Sequence, residues 1–197
     1  MDQSQQNYLR IVAVLCGPGQ NAVRCYFDKC FPPNLLNTQL SSVLRKRLEA
    51  LKQKKVLSNA QWDILFPVNG SASSAVFDVA LMTVLLRHFH IKKEPIDGYD
   101  KLPVDQEQTP ADDLARIKYY RNIIAHSTDG VIDDTRYEET WKSLCEVVNR
   151  LGDANLKNEC ELLGRADLNM AYKSQCEKLS RNITTIELRQ EISSENN

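Results

Sequence analysis

The 197-residue chain has little glycine and little proline, seven of each, so long flexible or low-complexity tracts have nothing to be built from. It lacks an excess of charge of either sign. With 25 Lys and Arg against 26 Asp and Glu, the net charge is −1. That excludes general electrostatic capture of nucleic acid, and any RNA contact has to rest on a local basic patch. No stretch approaches the roughly 18 apolar residues of a membrane span. The N-terminal "MDQSQQNYLRIVAVLCGPG" has an apolar run of only about six residues and no basic flank, unlike a secretory signal. The expected compartment is the cytoplasm, with the nucleus as the other option. No glycine-rich phosphate loop occurs, so nucleotide hydrolysis has no support. No segment alternates with the period of a strand.

Six cysteines are present, and in a reducing compartment they read as thiols rather than disulfides. Cys25 and Cys30 are spaced C-x4-C, and His88 and His90 are H-x-H. Neither spacing fits a common zinc module, so no metal and no cofactor are expected.

What is present is helix. Residues 4 to 16 place Tyr8, Leu9, Ile11, Val12 and Leu15 on one side before "GPG" breaks the chain. Residues 20 to 30 form a short helix stopped by Pro32 and Pro33. Thr38 is expected to cap the next helix, whose Leu40, Leu44, Leu48 and Leu51 share a face. "SNAQWDILFP" reads as a short capped helix. The segment 75 to 91, apolar nearly all round, belongs in the middle of a bundle, and 92 to 108 is a loop. Thr109, Pro110, Asp112 and Asp113 open a helix that "STDG" ends. Residues 135 to 151 form another helix, with Tyr137, Trp141, Leu144, Val148 and Leu151 on one face and Gly152 as terminator. Trp62 and Trp141 are expected as core anchors. From Leu168 onward a weaker, heptad-like seam follows: Tyr172, Cys176, Leu179, Ile183 and Ile186. It can dock on the bundle or pair with another chain. The expectation is an all-α bundle of about five main helices over 1–165, with an amphipathic C-terminal helix over 166–197 for docking or oligomerisation.

The chemistry-bearing stretch is "RNIIAH", residues 121 to 126. On a regular helix Arg121 and His126 point about 140° apart, whereas Asn122 and His126 share a face. All three meet only if the helix end loosens or a second copy lies alongside, as in a symmetric dimer. Metal-free RNA cleavage needs a proton-transfer group working near neutral pH, for which histidine is suited. It also needs fixed positive charge on the phosphoryl oxygens, which an arginine fork supplies. Asparagine can orient the imidazole or donate to phosphate. The structural alternative is a solvated basic face of Arg116, Lys118 and Arg121, with His126 simply closing the helix.

"RIKYYRNIIAHS" resembles the R-x4-6-H signature of the HEPN superfamily, with Asn122 as its polar residue. "QWDILFP", "FDVALMTVLLRHF", "GYDKLP" and "YEETWKSLCEVVNRLG" resemble the eukaryotic branch found in a RING-type ubiquitin ligase and in invertebrate receptor-like proteins. The similarity covers residues 8 to 165, with Tyr99 standing where relatives carry tryptophan. The resemblance implies a helical bundle that dimerises through the motif helices. It implies metal-independent endoribonuclease activity, with RNA 2′-hydroxyl attack giving a 2′,3′-cyclic phosphate. Arg121 and His126 would be the catalytic pair and Asn122 the supporting residue. Single-stranded or looped RNA would be the substrate. Arg116, Lys118, Tyr119, Tyr120 and Ser127, flanking the motif, are the candidate substrate contacts; the tyrosines can stack on bases. The basic run 44 to 55 can bind RNA backbone or form a solvated face.

The rival expectation is a non-catalytic interaction module in an immune-type or ubiquitin-related assembly, with protein partners reached through the C-terminal helix. A solvent-open cleft lined by Arg121 and His126 favours the enzyme. A motif buried in packing favours the module.

Overall fold

A computed structural model describes residues 2–166 and 170–195. All regular structure among them is helical. The elements are α1 (Gln3–Cys16), α2 (Pro18–Cys30), α3 (Pro33–Thr38), α4 (Arg45–Gln53), α5 (Asn59–Leu65), α6 (Val79–Phe89), α7 (Pro110–His126), α8 (Asp134–Leu151), α9 (Ala154–Arg165) and α10 (Met170–Glu195). The fold is the expected all-α bundle.

The bundle is built on α1, α2, α7 and α8. Helix α8 packs on α1, α2 and α7, and α2 packs on α1. Val12, Val14, Leu15, Ala22, Val23, Phe27, Ile117, Leu144, Val147 and Val148 are fully buried between them. Each of these side chains other than Ala22 contributes about 1.5–3 kcal/mol when removed from water. Asn7, also fully buried, donates to Asp134 Oδ1 (2.7 Å) and to the carbonyl of Ile132, so α1 holds the start of α8.

Several helix starts follow local cap chemistry. Ser58 and Gln61 form a capping box at α5, and Thr109 and Asp112 form one at α7, where Pro110 takes the first helical position. Asp78, an interruption in the apolar run, caps α6. That helix packs chiefly on α2 rather than at the bundle centre, and Arg87 and His88 lie on its outer side.

Three further expectations are corrected. Pro18 opens α2 directly, so "GPG" separates two helices by a single residue, Gly17. Thr38 makes no cap: its φ of −64° and ψ of −44° are helical, and α3 runs through a π-helical turn (Gln39–Val43) towards α4. Trp62 and Trp141 are half-buried at the bundle rim. Trp62 lies beneath Arg45 and Lys52, at 5.0 and 4.6 Å. The segment 154 to 165, to which the sequence assigned no element, forms α9; a Cβ on Gly164 would stand 2.9 Å from the Trp141 ring, so glycine lets that ring in.

Helix α10 lies on α7 and α1. Cys176, Ile183 and Glu187 are 1%, 1% and 3% exposed and form its inward stripe. The seam residues Leu179 and Ile186 are half-buried, and Tyr172 and Leu168 lie outside the described side chains.

Candidate functional site

The motif occupies the last two turns of α7, and the helix places its members in different surroundings. Ile117 and Ile124, 0% and 1% exposed, anchor the inward face of α7. Arg121 follows that face and is 2% exposed. Its Nε donates to Oε1 of Glu187 on α10 at 2.6 Å. Asn122 and Ile123 are half-buried, and His126, the last helical residue, is exposed. The single chain therefore presents His126 and part of Asn122 to solvent while α10 covers Arg121.

The ground around Arg121 is dry. Burial pushes the thiol of Cys16, at the end of α1, up to about 11, although the Arg121 charge works in the opposite direction. Tyr8, also on α1, shares a 2.6 Å hydrogen bond with Ser180 and fastens α10 one helix away from the motif.

The candidate substrate contacts divide. Arg116 is 3% exposed; it donates to the carbonyl of Val104 at 2.7 Å and pairs with Asp113, so it holds the loop before α7 against the helix. Tyr120, 6% exposed, sits in the core, its hydroxyl pushed up by burial and hydrogen-bonded to Ser143. Neither is presented for stacking or for phosphate contact. Lys118 reaches Asp100 at 2.5 Å and holds that carboxyl below the usual carboxylate range. Tyr119 is half-buried against Tyr120. Ser127 caps the end of α7, and its hydroxyl accepts from the Gly130 amide and bonds Asp129. Lys118, Tyr119 and Ser127 are thus the flanking residues near the surface.

The basic run is partly used within the protein. Arg45 lies over the Phe66 ring at 4.1 Å and pairs with Glu49, and Arg47 lies over Phe89 and donates to the carbonyl of His88. Such cation–aromatic contacts fix the side chains against the bundle. Lys46, Lys54 and Lys55 are exposed. Tyr99 is 4% exposed, with Arg87 stacked on it at 4.0 Å, and so acts in loop packing. A cleft of about 540 Å³ opens between the end of α1, α9 and α10, lined by Cys16, Pro18, Glu159, Leu162, Cys176 and Leu179 among others. Neither Arg121 nor His126 lines it. Among the described residues no three His, Cys, Asp or Glu side chains gather as a metal site, and no helix is long and apolar enough to cross a membrane.

Glu187 is the member of this arrangement that the sequence did not disclose. It stands 66 residues from Arg121, on a segment whose seam showed only its apolar members.

Comparison with known proteins matches this frame. The model of the DZIP3/hRUL138-like HEPN family covers residues 33–176. The chain is 25% identical over 150 residues to the E3 ubiquitin-protein ligase DZIP3 of Mus musculus, and equally to that of Homo sapiens. The alignment covers 74% of this chain and 12% of each relative, so the chain spans about an eighth of their length. No solved structure matches. The match takes in α3 to α9, the start of α10 and the whole of the Arg121–His126 segment, and the chain belongs to the DZIP3/hRUL138-like HEPN family.

Proposed function

We propose that the chain is a HEPN-type, metal-independent endoribonuclease whose site is completed where the α7 helices of two copies meet. The observation that carries this reading is the intact set of Arg121, Asn122 and His126 on one helix end, with His126 exposed at its tip. His126 serves as general acid or base towards the 2′-hydroxyl and the leaving 5′-oxygen. Arg121 stabilises the charge accumulating on the phosphoryl oxygens, and Asn122 orients one of them. Two copies are needed because the helix geometry parts Arg121 from its own His126. Lys118, Tyr119 and Ser127 are the neighbouring surface available to an RNA strand. The cytoplasm is the compartment this reading assumes.

A second reading has its own support. Arg121 is buried in packing and paired with Glu187, which is what a non-catalytic interaction module would show. In that role the chain would dock partners within a ubiquitin-related or immune-type assembly.

Incubation of the purified chain with labelled single-stranded and looped RNA in excess EDTA separates the two. Cleavage leaving cyclic-phosphate ends, lost in His126→Ala, supports the nuclease. Equal cleavage by a folded His126→Ala variant excludes this assignment of the histidine.

A further inference from the structure

A charge pair as dry as Arg121 and Glu187 is a poor way to fasten a helix. Removing both groups from water offsets most of their attraction, and an apolar pair of similar size would hold α10 at least as well. The helix has apolar anchors of its own in Cys176 and Ile183, together with the Tyr8–Ser180 hydrogen bond. The charges therefore call for a reason other than adhesion. The guanidinium supplies one, because its fork accepts a carboxylate or a phosphate by the same geometry.

The positions of the motif residues point the same way. His126 and Asn122 reach the surface, and the cation that a phosphoryl group requires does not. What lies over that cation is an acidic side chain of the chain itself, on a helix whose other face carries exposed Glu177, Lys178 and Arg181. A phosphate oxygen that reaches the Nε of Arg121 has to take the place of the Glu187 carboxylate.

We infer that α10 is an internal plug: Glu187 occupies the anion-binding position of Arg121, and a phosphate group of the substrate gains that position only when α10 lifts from α7 and α1. This rests on the ribonuclease reading for what the opened site does, but the plug itself concerns access to Arg121 and is measured separately.

The test uses the full chain and two variants. Glu187→Gln keeps the shape and removes the charge that faces Arg121. Tyr8→Phe removes the anchor to Ser180 and touches no motif residue. Phenylglyoxal modification of each arginine is followed by peptide mass spectrometry, with exposed Arg136 as the internal reference. The wild-type chain should modify Arg121 at least about tenfold more slowly than Arg136, as expected of a group reached only by local opening. Both variants should accelerate Arg121 by about tenfold, inorganic phosphate at millimolar concentration should slow it again, and EDTA-resistant RNA cleavage should rise in step. Modification of Arg121 in the wild type as fast as Arg136, or at the same rate in all three proteins, overturns the plug. Cleavage that depends on His126 and is equally fast in wild type and variants also overturns it, while leaving the nuclease reading in place. Arg121 uncovered and protected by phosphate, with no cleavage by any protein, upholds the plug and defeats the nuclease reading instead.

Discussion

Arg121 and His126 stand five residues apart on one helix and in different media: the arginine is 2% exposed and bonded to Glu187, and the histidine is exposed at the helix end. Their replacement should therefore differ in stability as well as in chemistry. His126→Ala removes a side chain at the exposed helix end and strands no buried charge, so it should cost less unfolding free energy than Arg121→Ala. Arg121→Ala leaves the Glu187 carboxylate buried without its partner and should cost about 3 kcal/mol or more. The joint replacement Arg121→Met with Glu187→Leu should fall within about 1 kcal/mol of wild type or above it, because neither charge is then buried. Urea unfolding of the four proteins checks the set. A double variant as unstable as Arg121→Ala would mean that the cost lies in packing rather than in the stranded charge.

What the sequence disclosed and what it hid follow the range of the forces involved. The start of α7 was legible because Thr109, Pro110 and Asp112 act on backbone groups within one turn of themselves. The inward face of Leu40, Leu44, Leu48 and Leu51 was legible from spacing, and Leu40 and Leu48 are 1% and 0% exposed. The cap expected at Thr38 failed because a helical turn can continue through a threonine when the packing of Leu36 and Leu40 requires it. Helix α9 was missed because only Leu156 and Cys160 of its residues are buried, too few to raise a period above a polar background. In the candidate site the residue types and their spacing were readable. The environment of Arg121 was not, since it depends on a contact across 66 residues that no local pattern encodes.

Asp113 ties α7 to α8. Its carboxylate accepts from Arg150 at both oxygens, from Nη2 at 2.6 Å and from Nε at 2.9 and 3.2 Å, and stands 3.4 Å from Arg116. Asp113 is 1% exposed and Arg116 is 3% exposed. The sequence suggested a helix-dipole role for this aspartate, but one carboxylate here answers two guanidinium groups. Asp113→Ala should destabilise by about 3–5 kcal/mol, far more than the roughly 1 kcal/mol expected for loss of the neighbouring cap in Thr109→Ala. Chemical denaturation of both variants checks the ordering. Similar losses would show that Arg150, which is partly exposed, turns to solvent without penalty.

Gly152 ends α8, as its position suggested, but not through a left-handed conformation, since its φ is −91°. The requirement is space. A Cβ at this residue would meet the Val148 carbonyl oxygen at 2.7 Å, Leu156 Cδ1 at 2.9 Å and Ala22 Cβ at 3.3 Å. Two of these neighbours are the helix end itself and the core of α2, which cannot yield as a flexible side chain would. Gly152→Ala should therefore destabilise by about 1–3 kcal/mol, the range for overpacking a filled site. Addition of Ala22→Gly should not restore it, because the closest contact is with backbone. The thermal midpoints of the single and double variants decide the matter.

The histidines at the end of α6 give the fold an acid sensitivity of defined sign. Burial holds His88 below its ordinary value, with Arg87 and Arg47 acting in the same direction and Glu94 opposing them. Burial alone lowers His90, whose ring meets the buried Phe31 ring at 4.4 Å. In both cases the folded chain prefers the neutral imidazole. A base lowered on folding contributes stability that is fully present above its unfolded value and is lost as pH falls through the folded one. The urea midpoint should thus be lower at about pH 5 than at about pH 7.5, with the denaturant slope unchanged. The two rings are largely exposed, so the fall should be modest. Replacement of both by Gln should flatten this part of the profile. A profile equally steep without His88 and His90 would show that these two rings are not the source of the acid sensitivity.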